Sequence, residues 1–165
     1  MSWIILSAII VTGLALMVWR ASKGPSLNLE TIQWAINGLL RQGYNGGFLI
    51  INIGYSKKFL QLRKYIYAPG NYGIELAFPN AKWSEQLFPK FADFCKQSGI
   101  IYSVVIEPAV EPLEFLRIDF GKDVAKAREI IKGIILKVFE LDESVHLFAR
   151  LENASIKDEL IDRNT

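Results

Sequence analysis

The chain has 165 residues, 19 of them Lys or Arg and 17 Asp or Glu, for a net charge of +2 and a hydrophobic fraction of 51%. That length suits a single domain with its own core. The charge balance argues against a nucleic-acid binder held by bulk charge, and a single cysteine, Cys95, excludes an intrachain disulfide framework.

Trp3 to Trp19 reads WIILSAIIVTGLALMVW, seventeen residues without a charged side chain. As a helix it would extend about 25 Å, the short end of a bilayer span. Trp3 and Trp19 sit where indoles favour the interface. Met1-Ser2 lacks the basic side chain of a signal peptide, and Trp19-Arg20-Ala21 is a poor cleavage site. The segment predicts a transmembrane anchor over residues 1–22, meeting the lipid bilayer through residues 3–19. Arg20 and Lys23 follow it, so the positive-inside rule makes the chain a single-pass membrane protein with its soluble domain in the cytoplasm. A linker over 23–27, an α+β soluble domain over 28–152 and a polar tail over 153–165 complete the expected organisation.

Within the domain, Ile32, Ala35, Ile36, Leu39 and Leu40 recur at helical spacing over Asn28–Gln42, with Ser26 or Asn28 as cap and Gly43 as a C-terminal stop. Strands are expected at Phe48–Ile53, Phe59–Tyr67 and around Ile74–Phe78, punctuated by Gly54-Tyr55-Ser56 and Ala68-Pro69-Gly70-Asn71. In the second, Leu60, Leu62 and Ile66 alternate with Gln61, Arg63 and Tyr65. A second helix covers about Ser84–Ser98, with Leu87, Phe91, Phe94 and Cys95 on its apolar face and Pro89 confined to its first turn. Ile101–Glu107 and Leu113–Phe120 read as strands, and Lys122–Phe139 as a third helix containing Gly133. Val145, Leu147, Ala149 and Leu151 suggest an optional closing strand. The expected fold class is therefore α+β: one N-terminal transmembrane helix, then an antiparallel sheet packed with helices in the order α-βββ-α-ββ-α.

This order resembles that of type III secretion chaperone-like domains and the related YbjN-type domains. Phe59-Leu60-Gln61-Leu62 is similar to an aromatic-x-Gln segment often found in their second strand. The resemblance implies a non-enzymatic domain that binds partner polypeptides or dimerises through sheet and helices. The expected anchor, and a less acidic composition than that of secretion chaperones, depart from the pattern.

Candidate chemistry is sparse. His146 is the only histidine, so neither a nucleophilic triad nor a zinc site has its usual ligands, and no cofactor or metal is expected. Asp119-Phe120-Gly121 matches a kinase magnesium triplet by letters alone; a strand end and turn is the better reading, with Asp123 at the next helix start. Gly43-Tyr44-Asn45-Gly46-Gly47 runs from helix into strand, opposite to a phosphate loop. Cys95 reads as a buried, inert thiol.

Lys57, Lys58, Arg63 and Lys64 form one basic cluster interleaved with Phe59, Tyr65 and Tyr67. Such a surface suits a partner protein or anionic headgroups better than single-stranded nucleic acid, given the overall charge. The expected function is a membrane-anchored, non-catalytic interaction domain, chaperone-like, immunity-like or sensory. It would bind a partner protein or itself, with Lys58, Arg63 and Tyr65 at the contact. The alternatives are an accessory subunit of a membrane complex, with Ala8 and Thr12 allowing close helix approach, and a membrane-tethered acid–base enzyme using Glu107, Glu114 and Asp119.

Overall fold

The computed structural model describes residues 26–107 and 112–154. A two-residue strand β1, Ser26–Leu27, leads into a capped turn. The Asn28 carboxamide oxygen accepts from the Glu30 and Thr31 N–H groups at 3.0 and 2.8 Å. These bonds close the turn that leads into helix α1 (Ile32–Gln42). Strands β2 (Gly43–Ile53), β3 (Phe59–Ala68) and β4 (Asn71–Pro79) form a meander. Helix α2 (Leu87–Gln97) follows, with Pro89 in its first turn, where the ring displaces no helix bond. Next come β5 (Ser103–Glu107), β6 (Leu113–Gly121) and α3 (Val124–Gly133). The Asp123 side chain caps α3 by accepting from the Lys126 N–H at 2.9 Å. A π-helical turn, Ile134–Val138, extends α3, and β7 (Leu147–Ala154) closes the chain's described part.

The seven strands form one sheet in the order β1-β7-β2-β3-β4-β6-β5, every neighbouring pair antiparallel. All three helices lie on one side of it. Ile32, Ile36 and Leu39 of α1, Phe91 and Cys95 of α2, and Ala127 and Ile131 of α3 are fully buried. They meet Leu49, Ile51, Leu60, Leu62, Leu76, Phe78, Leu116 and Ile118, the alternate residues of the central strands. Phe78 is the hub: its ring centroid lies 5.0 Å from Phe91, 5.6 Å from Trp83 and 6.2 Å from Phe139. Each such side chain withdrawn from water contributes about 1.5–3 kcal/mol.

Several expectations are corrected. No helix among the described residues is long and apolar enough to cross a membrane. The helices carry one-sided apolar stripes, and α1 and α2, of 11 residues each, extend about 16 Å against the roughly 30 Å of a hydrocarbon core. Over the described residues the fold is a seven-stranded antiparallel sheet with three helices, in the order β-α-βββ-α-ββ-α-β, and it contains no spanning helix. The predicted span at residues 3–19, its flanking Arg20 and Lys23, and residues 155–165 of the expected tail lie outside the described residues. The closing strand, expected as optional, sits inside the sheet between β1 and β2, because Leu147, Ala149 and Leu151 stand in register with Ile53, Ile51 and Leu49.

Candidate functional site

No described helix crosses the other side of the sheet, and the alternate side chains of five strands emerge there. Phe48, Ile50 and Asn52 come from β2, and Phe59, Gln61, Arg63, Tyr65 and Tyr67 from β3. Glu75 lies on β4, Phe115, Arg117 and Asp119 on β6, and Phe148, Arg150 and Glu152 on β7. Most are half-buried by their neighbours, whereas Tyr67 is 78% exposed.

A row of charge runs across the centre of this face. The Arg63 Nε donates to Glu75 Oε1 at 2.8 Å, and a second guanidinium nitrogen bonds the same oxygen. Arg117 approaches that oxygen from the other side at 3.9 Å and also bonds Glu107 at the sheet edge. Two guanidinium groups and two carboxylates thus alternate over β3, β4, β6 and β5. Glu75 is the least exposed of the four, at 14%. The Arg117 Nε is buried and has no hydrogen-bond partner among the described residues.

Tyr65 is held beside this row. It stands opposite Gly73 in the β3–β4 ladder, and its hydroxyl donates to Asp119 Oδ1 at 2.8 Å on β6, one strand further. Gly73 permits that reach, because a Cβ there would collide with the Tyr65 ring and lie 2.8 Å from the Gly121 Cα. Burial first, then the hydrogen bond and charge of Asp119, push the Tyr65 phenol up to about 12. The Tyr67 ring leans on it at 5.0 Å.

The structure separates the basic cluster read from the sequence. Arg63 and Tyr65 share the open face, but Lys58 lies near the start of α2. There it lines a shallow groove of about 380 Å³ with Lys82, Trp83, Glu85, Leu87 and Lys90. Lys64 points under the helices and is 6% exposed. Its Nζ donates to the Leu40 carbonyl at 2.5 Å, serving one of the open acceptors at the end of α1. Lys82, Trp83, Glu75 and Arg117 are not among the site residues expected from the sequence. The alternation in β6 already marks Arg117 as facing away from the core, but nothing in the sequence assigns its neighbours.

The carboxylates of the acid–base alternative are not brought together. Glu107 is engaged by Arg117, and Asp119 by Tyr65 and the Gly121 N–H. Glu114 alternates onto the helix side and accepts from the Asn80 amide at 2.8 Å. His146 is exposed ahead of β7, and its carbonyl accepts from the Gly54 N–H at 2.8 Å. Cys95 is fully buried, and desolvation pushes its thiol up to about 11. Among the described residues no group of His, Cys, Asp and Glu side chains is arranged to hold a metal ion. No family model, curated protein or solved structure matches the chain.

Proposed function

We propose that the domain is a non-catalytic interaction module that binds a partner polypeptide through the open face of its sheet. The observation that carries this reading is the composition of that face. Phe48, Ile50, Phe59 and Phe115 supply apolar surface, and the row from Arg63 to Glu107 supplies charges of both signs held in fixed positions. Interfaces combine such an aromatic and arginine-rich centre with oriented polar groups. The resemblance in element order to chaperone-like domains supports the same reading.

Affinity capture with the full chain tests it. The double variant Arg63→Gln, Tyr67→Ala alters the face without touching the core, and Lys90→Gln on α2 serves as the control. A stoichiometric polypeptide partner held by the wild type and the control, and weakened at least tenfold by the double variant, is the expected result. Equal retention by all three proteins, or no partner, overturns the proposal.

A further inference from the structure

We infer that β5 is a homodimer edge, on which a second copy of this chain adds its own β5 antiparallel to the first. This inference is independent of the open-face reading. The two ends of the sheet differ. Among the described residues one end of the sheet is β1, Ser26–Leu27, and the other is β5, Ser103–Glu107. Sheet edges that stay single are usually blunted by charge, proline or extreme shortness. Here the edge instead carries bare aliphatic side chains. Val104 is 47% exposed and Ile106 67% exposed, with Ile101 just ahead of them at 91%. Val104 stands opposite core residue Leu116, so it and Ile106 lie on the helix-bearing side of the sheet, where β5 extends beyond the helical cover.

The sequence of this edge is complementary to itself. The antiparallel register that uses all five residues is centred on Val105. It sets Val104 of each copy against Ile106 of the other, Val105 against Val105, and Ser103 against Glu107. Exposed aliphatic groups then meet exposed aliphatic groups on one face, and no like charges stand opposite one another. Each Glu107 keeps its own Arg117. Such a contact is isologous and closes at two copies, whereas β5 against β1 would propagate head to tail. The same edge can accept a strand from another protein, but only a second copy of β5 brings this matched pattern.

Single-cysteine crosslinking of the full chain reads the register directly. Cys95 is buried and does not compete. Side chains directly opposite across an antiparallel pair lie about 4.5–5.5 Å apart at Cβ, near disulfide reach, and those offset by two residues about 7–8 Å apart. Under mild oxidation Val105→Cys should form a disulfide dimer at least tenfold faster than Val104→Cys, although Val105 is the less exposed of the two. Ile106→Lys should raise the dimer dissociation constant at least tenfold in sedimentation equilibrium while its circular dichroism stays that of the wild type. A monomer at every concentration, or crosslinking rates that follow exposure, overturns the inference. Dimerisation through another surface gives that second outcome.

Discussion

Tyr65 lies across Gly73, and its hydroxyl reaches Asp119 only because β4 has no side chain at that position. Its raised pKa means that the folded chain favours the neutral phenol. The stability this supplies is intact below the ordinary tyrosine value of about 10 and is lost as pH rises through about 12. Tyr65→Phe should remove the most alkaline step from an ultraviolet tyrosine titration, and Gly73→Ala should move that step down toward 10. An unchanged step in both variants would count against the bond. Cys95 follows the same sign. Its stabilising contribution is whole below the unfolded thiol value of about 8.5 and disappears as pH climbs through about 11. Chemical denaturation of Cys95→Ala between pH 8.5 and 11 should therefore show a shallower loss of stability than the wild type. Much of this was legible residue by residue: alternation in β3 places Arg63 and Tyr65 on one face, and the helical stripe buries Cys95. Lys64 shows the limit. It counts as surface charge by composition, yet it shares parity with Leu60 and Leu62, and its long stem carries the ammonium to a helix-end carbonyl.

At the scale of elements, glycine in α3 has a packing role that helix propensity alone misses. Gly133 should cost the helix about 1 kcal/mol relative to alanine. In the structure a Cβ there would lie 2.7 Å from the rim of the Phe94 ring, so α2 and α3 meet through the missing side chain. Gly133→Ala should accordingly fail to stabilise the protein in a denaturant melt; a gain near 1 kcal/mol would show that Phe94 moves aside freely. Phe78 anchors the other contact of α2, where its ring meets Trp83, Phe91 and Phe139. Phe78→Ala should lower unfolding free energy by about 3–5 kcal/mol, measured by urea titration, because the cavity is walled by rings that cannot collapse into it. Turn chemistry at Gly54-Tyr55-Ser56 and at Pro69-Gly70 made the β2–β4 meander readable. β7 was not readable as a central strand. Its alternation fits an edge strand as well as an inner one, and only the long-range ladder to β2 decides.

For the whole molecule, chain order and sheet order diverge, and the candidate site depends on the latter. Arg63, Glu75, Arg117 and Glu107 are up to 54 positions apart in sequence and adjacent only because β6 pairs with β4 and β5 with β6. No local pattern encodes that juxtaposition. The apolar segment at residues 3–19 dominates hydropathy and drew the sequence reading toward a spanning helix, whereas the described helices are short and amphipathic. The organising consequence is a sheet with one face sealed by helices and the other lined with aromatic and paired charged side chains.

Site-specific photo-crosslinking from the full chain in its native cells tests the use of that face most directly. A photoreactive residue at Ile50, on the open face, should capture one defined polypeptide. The same probe at Asp93, exposed on α2, should not. Capture of the same species from both positions, or from Asp93 alone, would contradict the account.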